Sequence, residues 1–503
     1  MIYYTIDNNT TSIKLSQIPE VDYAALYEDL KERLKQEQYH VAHYFARPEQ
    51  NKLRFYMILL DDATHQIMIS SFAMEYYEDI ALPSLTALHP QLHPFEREIS
   101  ELYNVEFDSM PWNKPLRFSF NRRNRNSTID NYPFYSIEGE SLHEVNVGPI
   151  HAGIIEPGAF RFVCNGESVL HLEIALGYQH RGVENEFSAT NNRLRQMLLA
   201  ESVAGDSAVS HGVSFAMAIE KLLGKMADKS LWIERAVALE LERMAMHIAD
   251  TGALCTDVAY QLGQVACEAL RTMTINTTQA WCGNRFGKGL IRPCGSNKPL
   301  TQEKIEMIRK NVAEIKMRYE QVREDIKTSP TLLSRFEQCG LVPKAEMQRI
   351  GGVGMASRAS GLARDIRSSH PYGPYCSEIK HETNTKRHGD VKSRLMMRCR
   401  EVLQSADYIE KLLSEYSASV TARPDYDSTL QSDSLAVGLV EGWRGEICHV
   451  AITNSEGEIE TYKIKDPSVH NWLALAIAVR GEGISDFPIN NKSFNLSYCG
   501  HDL

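Results

Sequence analysis

No two of the ten cysteines stand as C-x-x-C, the spacing on which paired thiolate ligands and redox dithiols commonly rest. A zinc or iron–sulfur site held by this chain alone is therefore not expected, and the cysteines read as buried, reduced, small apolar residues. No apolar run reaches the ~18 residues of a membrane-crossing helix. The opening stretch, MIYYTIDNNTTSIKLSQ, lacks the basic and apolar regions of a secretion signal. Membrane association is thus expected to come through partner subunits. There is no long basic run, and the net charge of −11 argues against a nucleic-acid partner. The glycine-rich GNRFGKGLIRPCG, residues 283–295, has neither the G-x-x-x-x-G-K-[ST] nor the G-x-G-x-x-G order, so it does not point to phosphate binding.

What is present is an ordinary globular composition, 43% hydrophobic and 24% charged over 503 residues, enough for two or three domains and a sizeable core. Residues 1–120 read as a separate small unit. Residues 23–35 are helical in pattern, and 53–60 and 66–74 have strand character on either side of Asp61-Asp62. The stretch HPFEREISELYNVEF, residues 93–107, begins with Pro94 and has Glu96 and Glu98 in its first turn, good chemistry for a helix start. Phe95, Ile99, Leu102 and Tyr103 then share one face. Residues 121–144 are polar, without periodicity, and carry the RRNRN cluster at 122–126, which marks a linker or an arm laid over a neighbour.

The rest, 145–503, is organised around residues 148–212. Phe160, Phe162 and Cys164 alternate into Asn165-Gly166 and a second strand-forming run, residues 169–174, follows, which predicts a hairpin with an Asn-Gly turn. Helical runs follow at 211–223 and 231–262, with another over 301–327. Glu240, Arg243 and His247 fall on one face of an otherwise apolar helix. Either they are a satisfied ion pair inside a bundle or they move protons. From about Ser434 the chain alternates as an antiparallel β unit, with a hairpin at Asn454-Ser455-Glu456-Gly457, before a helix over 469–479. The fold expected is α+β: a small α/β domain followed by a mainly helical bundle with peripheral antiparallel β units.

The strings GPIHAGIIEPGAFRF, GYQHRGVE, ELERMAMHIADTGALCTDVAY and RIGGVGMASRASGLARDIRSSHPY resemble the large subunit of group 4 membrane-bound nickel–iron hydrogenases, the formate-hydrogenlyase type. More distantly they are similar to the 49 kDa subunit of respiratory complex I. FEREISELYNVEF resembles the complex I 30 kDa subunit, a docking domain fused ahead of the catalytic one in this family. The resemblance implies a 4Fe–4S cluster in a partner small subunit of the complex I 20 kDa type, and further ferredoxin-like, membrane antiporter-like and quinone-module-like partners. It implies a peripheral position on the cytoplasmic face of the membrane.

The family's four nickel-binding cysteines match Ala204, Ser207, Ser497 and Gly500 here, with Cys499 one residue off register. No thiolate set remains, so this chain is expected to bind no metal or cofactor and not to act as a nickel–iron hydrogenase. The histidine and tyrosine that flank the quinone in the 49 kDa subunit fall near Glu156 or Pro157 and near Gly205, so that site is altered too. Glu156 matches the family's proton-passing carboxylate, and Arg444 in Trp443-Arg444-Gly445 matches the arginine above the metal. Glu156, His151 and Arg444 are therefore the site candidates, with His180 and His211 as further relays. The plainer expectation for Glu156 is an ion pair with Arg181 or Arg444. Arg358, Asp365, Arg367 and Arg394 are expected to be buried in pairs.

Overall fold

A computed structural model describes the chain except for residues 77–79, 124, 126–127, 154 and 418–421, so part of the expected linker lies outside the described residues. Among the described residues are three antiparallel sheets, a two-stranded parallel sheet of Ala81–Pro83 with Glu106–Asp108, and a helical bundle, the α+β class expected. The first sheet orders its strands as Tyr4–Ile6, Gln66–Glu75, Lys52–Asp61 and Tyr39–Glu49. Tyr23–Arg33 and His93–Tyr103 pack beside it, and Phe95 and Ile99 enter its core while Leu102 and Tyr103 stay half-buried.

The hairpin pairs Ala159–Asn165 with Ser168–Ala175, and Leu142–Val147 adds a third strand. That third strand starts inside the stretch expected as linker, because Val145 and Val147 pack on the hairpin's apolar face. The turn differs by one residue from its sequence reading. Asn165 pairs with Ser168, so the turn residues are Gly166 and Glu167, and Gly166 takes the positive φ of 58° that the turn requires.

The bundle is built from Lys229–Asp257, Gln261–Cys282, Gln302–Lys327 and Val391–Glu415, each packed on two of the others. Lys229–Asp257 is the central rod. Nearly every residue of it is buried, polar ones included, which a purely amphipathic pattern does not produce. Ala208–Leu222 runs between this rod and the C-terminal sheet, lying against strands Ser434–Glu441 and Glu446–Thr453. That sheet has a fourth strand with no warning in the sequence: Ile13–Lys14 pairs with Leu435 and Ser434.

The N-terminal unit and the C-terminal sheet are joined by buried charge. Lys463 reaches Glu98 at 2.9 Å and Glu184 at 2.5 Å, and Glu98 also holds Arg117 at 2.5 Å. Burial opposes ionisation of both carboxylates. Two cations overcome it at Glu98, whose pKa falls to about 2, whereas Glu184 has mainly Lys463 and stays above the ordinary value. Nearby, Glu446 bridges Lys465 and His40, the latter at 2.7 Å. Lys463→Met keeps the stem's volume but leaves Glu184 without its cation and Glu98 with Arg117 alone. The expected loss is about 3–5 kcal/mol, read as a lower denaturant midpoint, and an unchanged midpoint would mean the joint does not depend on this ion pair.

Candidate functional site

The loop before Ala208–Leu222 and the last ten residues come together at one end of the bundle. Arg181 fastens them by donating to three carbonyls, those of Ser202 (2.7 Å), Val203 (2.9 Å) and Cys499 (3.0 Å). Ala204, Ser207, Ser497 and Gly500, scattered in sequence, are all buried around this junction. Arg444 occupies its centre. Its guanidinium makes a two-pronged pair with Asp206, 2.7 Å on each prong, approaches Ser207 Oγ at 3.3 Å and donates to the Asn495 carbonyl at 2.6 Å. The Trp443 ring lies 3.9 Å from the guanidinium, and the indole N–H donates to the Asp206 carbonyl. Planar, bidentate recognition of this kind belongs to arginine and not to lysine.

These residues do not fit nickel. The four positions offer a methyl, two hydroxyls and a hydrogen where soft thiolates are needed. Ser497 Oγ is engaged by the Gly500 N–H at 2.9 Å. A Cβ on Gly500 would lie 2.7 Å from the Asp466 carboxylate and 2.8 Å from Ser497 Oγ. The Arg444 guanidinium, a permanent cation, stands 3.3 Å from the Ser207 hydroxyl. Cys499 Sγ lies 3.4 Å from Ser497 Oγ, with the Glu156 carboxylate nearby. Burial first, and that carboxylate second, push its thiol up to about 11, so it is no ready thiolate.

Glu156 is half-buried beside Cys499 and Tyr498. The ion pair expected for it with Arg181 or Arg444 is not formed, because those guanidiniums are committed to carbonyls and to Asp206. His151 lies on the same loop. Its ring donates to the Gly158 carbonyl at 2.8 Å and closes its own loop, so it staples the turn that carries Glu156. His180 likewise donates to the Asp502 carbonyl at 2.8 Å.

His211 lies in a hydrogen-bonded chain. Its Nε2 lies 3.1 Å from Asp466 Oδ2 and its Nδ1 3.0 Å from His449 Nε2, and His449 Nδ1 is 2.7 Å from the Tyr462 hydroxyl. One tautomer assignment satisfies every ring nitrogen with both imidazoles neutral: each Nε2–H donates and each Nδ1 accepts. Asp466, His449 and Asp206 were not legible as site residues, since they come from strands and loops far apart in sequence and no local spacing announces them.

A cleft of about 700 Å³ opens beside the clamp, between Lys229–Asp257, Gln261–Cys282 and the C-terminal segment. Gly205, Asp206, Met246, Asp250, Phe286 and Lys492 are on its wall. Behind the loop, Glu242 accepts from the Val209 and Ser210 N–H groups and the Ser210 hydroxyl. It has no cationic partner among the described residues, and burial pushes it up to about 7.

A family profile described as "Respiratory-chain NADH dehydrogenase, 49 Kd subunit" matches residues 257–434. Hydrogenase-4 component G of Escherichia coli is 26% identical over 84% of this chain and 75% of its own length. The carbon monoxide-induced hydrogenase of Rhodospirillum rubrum is 28% identical over 69% of this chain and 96% of its own length. The chain is thus similar to complex I 49 kDa subunits and to subunits of membrane-bound hydrogenases. A chain of the archaeal membrane-bound sulfane sulfur reductase has the same fold, with a TM-score of 0.67, 20% identity and coverage of 73% of this chain and all of that one. Among the described residues no helix is long and apolar enough to cross a membrane.

Glu242→Ala would leave two amides and a hydroxyl at the start of Ala208–Leu222 without their acceptor. The expected destabilisation is about 1–3 kcal/mol, with Glu242→Gln costing less because one amide oxygen remains. Chemical denaturation at fixed pH checks both, and equal losses would mean that the hydrogen bonds are not what matters there.

Proposed function

We propose that this chain is the nickel-free large subunit of a membrane-associated, complex I-related oxidoreductase complex that couples electron transfer to ion translocation. It sits at the cytoplasmic face beside a small subunit with a 4Fe–4S cluster, and further ferredoxin-like, antiporter-like and quinone-module-like subunits complete the assembly. Residues 1–120 act as its docking domain. In this reading the chain binds no cofactor itself and serves as a coupling element. The observation that supports this is the Asp206–Arg444 clamp: the junction where the hydrogenase relatives' ligand residues would meet is closed by an ion pair bonded to both segments. A closed, charge-neutral junction holds the two segments in register and offers no coordination site.

A second reading keeps electron acceptance in this chain. The cleft favours it, since it is large enough for a small organic acceptor and has both apolar and charged walls. The two readings separate on reduction of an added quinone by the purified complex, with Arg444→Met as the variant. Under the coupling reading Arg444→Met loosens assembly, and quinone reduction by intact particles is unaffected.

Elemental analysis of the purified full chain is expected to find no stoichiometric nickel, and one nickel per chain would overturn the proposal. Glu156→Gln keeps size and hydrogen bonding but removes the exchangeable proton next to Cys499. Assembly is expected to be normal while ion transport falls about tenfold, equivalent to about 1.4 kcal/mol of barrier. Failure to assemble would make Glu156 a structural residue, and unchanged transport would remove it from the proton path.

A further inference from the structure

The bundle's buried charges do not balance. Among the described residues, Glu240, Asp365, Glu401 and Glu441 meet three guanidiniums, those of Arg243, Arg358 and Arg367. The histidines that touch the cluster do not make up the difference. His247 donates from Nε2 to Glu401 and accepts at Nδ1 from Arg398, so it is neutral, and burial lowers its pKa to about 4. His381 is also driven down by burial. One negative charge is in excess in a region closed to water, where an unpaired charge costs several kcal/mol.

The excess falls on one place. Asp365 and Glu441 share a single guanidinium nitrogen, Arg358 Nη1, at 3.3 Å and 2.7 Å. Asp365 has strong compensation of its own, Arg367 at 2.8 Å and 3.0 Å. Glu441 has only its share of Arg358 and the Ile366 N–H at 3.1 Å. The other groups turned toward it bring little relief. Arg243 spends its donors on Glu240, Glu401 and the Gly442 and Glu441 carbonyls. Tyr372 accepts from the Glu441 N–H. Across the strand pair stands Glu446, an acid satisfied by Lys465 and His40.

We propose that Asp365 and Glu441 form a proton-binding pair that holds one exchangeable proton, carried on Glu441 and exchanged with solvent through His381 and Tyr408. Tyr408 OH lies 3.0 Å from His381 Nδ1, and His381 Nε2 lies 2.9 Å from Asp365 Oδ2. Tyr408 is half-buried and reaches the surface. A proton arriving at one imidazole nitrogen is matched by the release of another from the opposite nitrogen to Asp365, so no net charge stays on the ring. Arg358 Nη1, held by both carboxylates, gives up no proton, so the last step to Glu441 is a direct carboxyl-to-carboxylate transfer beside it. The two carboxylates titrate as a unit. Burial and the Asp365 charge raise Glu441 to about 7, while Asp365 stays well below the usual range. This goes beyond the role in a complex proposed above, because it concerns the chain by itself.

The test is infrared difference spectroscopy of the full chain between about pH 6 and about pH 8, where a carboxyl of this kind changes state. The wild type is expected to lose a protonated-carboxyl stretch on going alkaline that Glu441→Gln lacks and Glu242→Gln retains. Identical difference bands in wild type and Glu441→Gln would overturn the proposal. Should Glu441→Gln not fold, a wild-type spectrum whose only titrating carboxyl disappears in Glu242→Gln overturns it equally. His381→Gln keeps a donor to Asp365 but breaks the relay. After a pH jump its band is expected to relax at least tenfold more slowly than wild type, and relaxation at the wild-type rate would rule out the His381 route.

Discussion

Arg358 is the point on which the interior depends. Fully buried, it binds Glu401 with Nε and Nη2, binds Glu441 with Nη1, and donates to the Arg364 carbonyl. Those partners belong to the Val391–Glu415 helix, the Ser434–Glu441 strand and the loop beyond Arg358's own short helix. No apolar side chain offers directional bonds to three elements at once. The bundle is thereby fixed to the C-terminal sheet in one register, at the expense of burying carboxylates that only guanidinium geometry can satisfy. Glu240 gains a similar setting from Arg243, Arg367, Tyr375 and Ser405, which together hold its pKa near about 2 despite complete burial.

The clamp at the other end of the bundle obeys the same logic with a different consequence. A metal held by thiolates would tie the loop before Ala208–Leu222 to the C-terminal segment through coordination bonds. Here Arg444 ties the same two segments through Asp206 and the Asn495 carbonyl, and Arg181 ties them again through three carbonyls. The structural duty of such a centre is thus met by hydrogen bonds whose donors cannot change charge at any accessible pH. A junction made this way keeps its cations at every accessible pH, so proton exchange there is left to Glu156.

Much of the architecture was legible because it rests on local pattern. The hairpin, the long helices and the C-terminal antiparallel unit all follow from periodicity and turn residues. Of the buried charges expected in pairs from the resemblance, Arg358, Asp365 and Arg367 are paired, whereas Arg394 is held by the Ser493 hydroxyl and the Gly340 and Gly389 carbonyls. What escaped was non-local. Ile13–Lys14 is too short to carry a strand signal and is fixed only by its partner, Leu435. Asp466, His449 and Tyr462 become a relay only when two strands are placed side by side against His211. His151 invited a proton-relay reading because it sits in the right string, but its ring nitrogen is consumed by the Gly158 carbonyl seven residues on. Glu156 and Arg444 were picked from the resemblance, and only the fold brings out that Arg444 already has a carboxylate, leaving Glu156 to Cys499.

The cleft and the Asp365–Glu441 pair are connected, though not by a path protons can follow. Asp250, on the cleft wall, holds Arg398 at 2.5 Å; Arg398 donates to His247 at 3.1 Å; His247 donates to Glu401 at 3.1 Å; and Glu401 shares Arg358 with Glu441. Two arginines interrupt that chain, and neither gives up a proton. What it transmits is potential. For scale, two unit charges ~15 Å apart in an effective dielectric near 20 interact by about 1 kcal/mol, roughly a fivefold change in proton affinity. Asp250 itself is held above the ordinary carboxylate range by burial, with Arg398 and Arg444 opposing. If the proposed pair holds its proton, an anion entering the cleft would favour proton uptake there through Tyr408 and His381, with no moving part needed.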